Sequence, residues 1–231
     1  MTMIARITAT LSMLGVLALV AATPVQAHQG TPNIVCLDAG HGGDPATGGD
    51  PGAQHHGLSE AEQNLIIVET FLAPMLQTKG YGVVLTRTSA KNVNLGNTER
   101  ANICNAGSST LVVSVHMNGS TDYGLNYFKP FYGKRTKDQA FADTLGAKYR
   151  LPKVPLTSPI TYVKVNPSGQ FASGLLLKAT GHAVIAETVF ISNTDEANAL
   201  KAGIQDGTYA RHKAIAEQLG VGIDAWYTTT H

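Results

Sequence analysis

The chain has 231 residues, with 17 Lys and Arg against 16 Asp and Glu and a formal charge of +1. Charges so evenly mixed exclude nucleic acid and anionic membrane as main partners. The length suits one substantial core and is too short for two ordinary domains with a linker, and two cysteines, Cys36 and Cys104, are too few for a disulfide framework and are not spaced as a metal knuckle.

The N-terminal stretch carries Arg6, then an apolar run from Ile7 to Ala22, then the small-residue segment Thr23-Pro24-Val25-Gln26-Ala27. This pattern predicts a secretory signal over residues 1–27, since the apolar run is short for a membrane anchor. Residues 28–231 are then the exported domain, periplasmic or extracellular, with no stable membrane anchor. Export permits a bond between Cys36 and Cys104. Two separately buried thiols fit the local patterns equally, because Cys36 falls in a predicted strand and Cys104 in a predicted helix.

The run Ile34 to Leu37 is apolar and rich in β-branched residues, and it stops at Asp38 before a glycine-flanked His41. It reads as a buried strand ending in a tight loop. Chemistry in open α/β sheets collects beyond such strand ends. The loop from Gly42 to Gly57 is dense in Gly, Pro and Asp and contains DPGA at Asp50 to Ala53, which marks a long surface connection at the mouth of a site. Its pair His55-His56 reads as solvent-exposed loop residues, with substrate contact as the alternative.

Ser59-Glu60-Ala61-Glu62 matches a capping box, and Leu65, Val68, Leu72, Met75 and Leu76 follow at helical spacing up to Lys79-Gly80. The box accounts for Glu62 and leaves Glu60 over. Pro74 is expected to kink or shorten this helix. Strands are predicted over Tyr81 to Arg87, Leu111 to His116, Gly124 to Phe128 and Ala183 to Glu187. Helices are predicted from near Asn97-Thr98, carrying Arg100, Ile103 and Asn105, and over Lys137 to Tyr149. A capped turn at Thr194-Asp195-Glu196 opens a closing helical stretch to about Trp226. The segment from Leu151 to Gly181 has no legible period.

Two strands therefore end in histidine, His41 and His116, a third ends in Glu187, and Glu60 opens the first helix. Two imidazoles and a carboxylate are a ligand set for catalytic zinc with a fourth position open to water, whose proton the second carboxylate can take. The four lie far apart in sequence, so spacing alone leaves this reading open beside a purely structural one.

The motifs LDAGHGG, DPGA, EAEQNL, VLTR, Arg100 with Asn105, SVHMN and ETVFISN stand in the order seen in the zinc-dependent N-acetylmuramoyl-L-alanine amidases of the amidase type 3 family. The chain resembles that family over nearly all of residues 28–231. The resemblance implies an α/β fold, a single domain with a twisted mixed β-sheet flanked by helices on both faces. It further implies zinc held by His41, Glu60 and His116, with Glu187 as the acid/base. Glu60 is preferred to Glu62 because it stands four residues before Asn64, as the family's ligand glutamate does. Asn118 and Arg100 are the substrate-binding candidates. The implied reaction is hydrolysis of the amide between the lactyl group of N-acetylmuramic acid and L-alanine in peptidoglycan. The expected partners are peptidoglycan or a muropeptide, with a protein activator where the site must be opened, and the chain is expected to act as a monomer. A zinc carboxypeptidase or deacetylase, or an inactive peptidoglycan-binding module, are the alternatives. Ala39, Met117 and Val189 depart from the family pattern in place of proline, alanine and glycine, and Val189 calls the backbone beside Glu187 into question because a β-branched residue resists positive φ. No wall-binding repeat is found, so targeting to peptidoglycan rests on this domain or a partner.

Overall fold

The computed structural model describes residues 33–133, 135–152, 154, 156–165 and 173–230; the expected signal segment, 1–27, lies outside the described residues. In chain order the strands of the main sheet are β1 (Ile34–Ala39), β4 (Gly82–Leu85), β5 (Leu111–Asn118), β6 (Lys129–Tyr132), β7 (Val163–Lys164) and β8 (His182–Phe190), while β2 (Gln54–His55) and β3 (Leu58–Ser59) form a small separate hairpin. The sheet order is β4-β1-β5-β8-β6-β7. The first four strands run parallel, and β6 is antiparallel to β8, so the sheet is mixed as expected.

Side chains alternate across the central strands, as period 2 requires. Val35, Leu37, Val113, Val115, Val184 and Ala186 enter one core, and Cys36, Val112 and Ile185 enter a second. The larger core is covered by α1 (Glu60–Leu65), α2 (Ala73–Thr78), α4 (Thr136–Lys148), α6 (Thr194–Gln205) and α7 (Ala210–Thr230). On the other face lie α3 (Asn97–Ala106) and the short α5 (Ser173–Leu176). None of the helices among the described residues is long and apolar enough to cross a membrane.

Several expectations change. Gly124 to Phe128 is a loop, because Asn126 accepts from the amide of Phe190 and donates to Glu196, which pins the chain before it can pair; the strand starts at Lys129, opposite Glu187. The capping box at Ser59 and Glu62 does not form: Ser59 makes no side-chain cap, its hydroxyl donates to the carbonyl of Pro51, and Glu62 is exposed. Pro74 stands at the second position of α2, and the regular winding of α1 stops short of it, as the expectation of a shortened regular part has it. A π-helical turn over Ile66–Leu72 precedes it, with the amide of Ala73 reaching back five residues to Val68, and widening the turn is a known way to relieve a proline ring against the preceding carbonyls. The closing stretch is two helices, α6 and α7, separated by Gly207 at φ +70° and Tyr209 at φ +49°. Cys36 and Cys104 are bonded, tying β1 to α3. Val189 is fully buried within β8 and is not among the positive-φ residues. The register shifts between His116, opposite Glu187, and Asn118, opposite Phe190, so β8 takes up the extra residue as a bulge.

Candidate metal centre

Beyond Ala39 the chain turns through Gly40 into His41, whose backbone lies at φ +60°. Gly40 is demanded by space: a Cβ there would meet Nε2 of His116 at 2.2 Å. Asp50 and Gly42 exchange backbone hydrogen bonds of 2.8 and 2.9 Å, closing the loop on itself. That closure brings the Asp50 carboxylate to His41, whose Nδ1 donates to Oδ2 at 2.7 Å and leaves Nε2 facing inward.

Glu60 begins α1, and both its oxygens are engaged. Oε2 lies 3.1 Å from Nε2 of His41 and accepts from the amide of Ala53 at 2.9 Å. Oε1 accepts from Nδ1 of His116 at 2.9 Å and from the amide of Met117 at 3.0 Å. A Cβ at Gly52, which has φ +66°, would stand 2.6 Å from both Glu60 Oε2 and the His41 ring. One ligand atom from each of His41, Glu60 and His116 lies within 4.8 Å of the others. Across the parallel ladder from His116 stands Glu187, only 6% exposed, with Oε2 buried and without a hydrogen-bond partner.

Two buried arginines hold this loop from beneath. Arg87 donates to the carbonyls of Ala39, Gly40 and Ala61, so it ties the His41 loop to the helix that carries Glu60. Arg100 is only 3% exposed. Its guanidinium pairs with Asp38 at 2.6 Å and donates to the carbonyls of Leu95, Ala39 and His41. The carboxyl of Asp38 would be raised by burial, but Arg100, Ser114 and Thr86 hold it below the ordinary range. The other substrate-binding candidate, Asn118, closes β5, and its Nδ2 is buried without a partner.

The electrostatics describe a site built for positive charge around one carboxylate. Burial alone would lower the pKa of His41, yet Glu60 and Asp50 push it up to about 9, and Glu60 raises His116 in the same way. Glu60 itself is held well below its usual range by the two histidines despite its burial. Glu187 is pushed up to about 7, by burial first and by the charge of Glu60, with His116, His41 and Lys129 pulling the other way. Two nitrogens and one oxygen facing one point are a donor set that fits zinc, and Asp50 on His41 is the outer carboxylate such histidines ordinarily carry. The unpartnered Glu187 oxygen beside them fits a carboxylate kept free for a reacting group.

Sequence reading names His41, Glu60, His116 and Glu187 and passes over Asp50, Arg87 and Asp38. A signal existed for Arg87, since an arginine closing an apolar strand beside a glycine-rich loop must find carbonyl partners if buried. Asp50 reads locally as turn chemistry, and only loop closure reveals its partner.

The fold and the sequence recur in known proteins. The profile of the family described as N-acetylmuramoyl-L-alanine amidase matches residues 35–222. The endolysin of Bacillus phage SPP1 is 31% identical over 192 residues, covering 81% of this chain and 66% of that protein, so the chain spans just under two thirds of that relative's length. Among solved structures, the catalytic domain of the amidase CwlV from Bacillus (Paenibacillus) polymyxa var. colistinus superposes with a TM-score of 0.66 at 24% identity, over 85% of this chain and 98% of that one. An N-acetylmuramoyl-L-alanine amidase from Clostridium difficile 630 gives 0.68 at 22%, over 87% and 99%. The CwlD amidase of Clostridioides difficile, solved in complex with the GerS lipoprotein, gives 0.63 at 22%, over 85% and 99%. These likenesses carry the fold, and the profile, matched over most of the sequence, carries the assignment: the chain belongs to the N-acetylmuramoyl-L-alanine amidase family.

Proposed function

We propose that this chain is an exported zinc amidase that hydrolyses the amide joining the lactyl group of N-acetylmuramic acid to L-alanine, with His41, Glu60 and His116 holding the metal and Glu187 as the acid/base. The observation that carries the reading is the buried, unpartnered carboxylate oxygen of Glu187 beside the converging His41, Glu60 and His116. Bound there, zinc supplies a Lewis acid that polarises the scissile carbonyl, makes water more acidic and, by its charge, favours ionised Glu187.

Glu187 takes a proton from the attacking water at its free Oε2 and returns one to the leaving nitrogen of L-alanine. Its burial keeps bulk water from competing for that oxygen. Asp50 fixes the ring of His41 through Nδ1, and the amides of Ala53 and Met117 hold the Glu60 carboxylate in place. With all its guanidinium nitrogens turned to Asp38 and to carbonyls, Arg100 serves the site by positioning His41, while the free Nδ2 of Asn118 is available to a substrate carbonyl. The Cys36–Cys104 bond supports an oxidising compartment and hence export.

The test is mass analysis of purified muropeptides treated with the protein. Glycan freed of intact stem peptides is expected, abolished by a chelator and restored by zinc; shortened peptides or released acetate would overturn the reading.

A further inference from the structure

The candidate centre leaves one preordered feature at its rim unused. The β2–β3 hairpin turns through His56 and Gly57, at φ +54° and +77°, the pair of positive angles of a type I′ turn. That turn aims His56 at β8's exit, where Nε2 donates to the carbonyl of Ser192 at 2.8 Å. Tyr123 joins the two histidines, with its ring centroid 5.5 Å from His56 and 5.9 Å from His55. The loop carrying Tyr123 is latched as well: Ser120 donates its amide to Ser192 Oγ at 3.0 Å, and Asn193 donates to the carbonyl of Tyr123 at 3.1 Å. Yet Tyr123 remains 52% exposed. A large ring fixed by its neighbours is thus left half open to solvent, more so than Tyr162 at 39%, the other exposed tyrosine among the described residues.

The cluster adjoins the centre directly. A Cβ at Gly119 would lie 3.3 Å from Nε2 of His55 and 3.2 Å from the Cβ of Ala53, the residue whose amide holds Glu60. Gly119 also follows Asn118, with its buried and unpartnered Nδ2. A shallow hollow of about 280 Å³ beside the histidines is lined by Gln54, Leu58, Ser59 and Glu62. The groups on offer are ring faces, imidazole and amide hydrogen-bonding atoms and one carboxylate, with no lysine or arginine among these described residues. That set disfavours an anionic stem peptide. It suits a neutral pyranose, which presents C–H faces to rings and hydroxyl or acetamido edges to polar atoms.

We propose that His55, His56 and Tyr123 form a saccharide subsite that takes an N-acetylated pyranose of the glycan strand beside the scissile amide. The proposal rests on the amidase reading above and adds which part of the substrate is gripped and where.

The test pairs direct binding with kinetics on the full zinc-loaded chain. The binding probe is the N-acetylglucosamine tetramer, measured by calorimetry, which involves no hydrolysis. Tyr123→Ala is expected to weaken its binding roughly five- to tenfold, the scale of one lost ring contact, and Tyr123→Phe to keep it. His55→Ala, which leaves the latches of the Tyr123 loop in place, is expected to weaken it in the same direction. In kinetics, Tyr123→Ala should raise KM for a glycan-linked peptide by a similar factor with kcat nearly unchanged, and leave KM for a sugar-free lactyl peptide unaltered. Tetramer affinity indifferent to both alanine variants, or an equal loss on both substrates, would overturn the subsite while the amidase reading stands. If the wild type cleaves neither substrate but binds the tetramer through Tyr123, the amidase reading falls and the subsite remains.

Discussion

His41 adopts a left-handed backbone that costs an ordinary residue roughly 1–2 kcal/mol, and it is kept there by the Asp50 carboxylate on its ring and the Arg100 guanidinium on its carbonyl. Strain retained in this way is typical of a position whose side-chain direction matters more than its stability. The neighbouring Gly40 gives a sharp check. Gly40→Ala would drive a methyl group into the ring of His116, and zinc affinity measured by dye competition is expected to drop at least on the order of tenfold. Gly48→Ala serves as the contrast: its φ is +90° but nothing lies within 4 Å, so stability should fall by about 1 kcal/mol with zinc affinity unchanged. At Glu187, replacement by Gln removes the proton acceptor and keeps the shape. Muropeptide hydrolysis should slow by roughly 10²–10⁴-fold, while the melting temperature holds or rises, because Oε2 of the carboxylate is buried without a partner.

At the scale of elements, β1 and α3 are joined twice, by the disulfide and by the Asp38–Arg100 pair. Arg100→Lys keeps a cation for Asp38 but loses the fork that reaches the carbonyls of Ala39 and His41. Weaker zinc binding, read by the same competition assay, with the charge pair retained is the expected outcome. The apolar runs of β1, β5 and β8 were legible in the sequence because buried parallel strands read as continuous hydrophobic stretches, and His41, His116 and Glu187 were legible with them, although β5 and β8 run on past His116 and Glu187 to Asn118 and Phe190. Their convergence was not, since no local spacing enforces it and only the order of motifs suggested it. The misplaced strand at Gly124 failed because Asn126 spends its amide on Phe190 and Glu196, partners distant in the chain. The capping box failed because Pro51, eight residues upstream, took the Ser59 hydroxyl. Local propensity lost to tertiary contacts in both places.

For the molecule as a whole, the Cys36–Cys104 link closes a span of 68 residues. A loop of that size corresponds to up to about 4 kcal/mol of stabilisation, and the double Cys→Ser variant should lose about 2–4 kcal/mol in urea unfolding. Acid stability depends on His212, which is fully buried and has its pKa depressed by burial from 6.5 to about 4. Its Nε2 donates to Gln63 at 2.7 Å, and its Nδ1 has no partner. Above pH 6.5 both folded and unfolded chains leave it neutral. Between 6.5 and about 4 only the unfolded chain takes up the proton, so stability declines as pH falls, by roughly 1.4 kcal/mol per unit at most. His212→Asn should flatten that decline relative to the wild type when unfolding midpoints are compared at pH 7.5, 5.5 and 4.5.

The widened turn over Ile66–Leu72 amounts to a single surplus residue carried inside a helix, and it sets the phase between the two ends of that rod. Deleting one amino acid there would restore ordinary winding and keep the helix beyond it in phase, with Leu72 and Leu76 still turned inward, but it would press the proline ring on the carbonyl four residues before it. Such a shortened chain is expected to keep its architecture and every reactive group while losing up to about 3 kcal/mol in urea unfolding, the strain that the looser winding relieves.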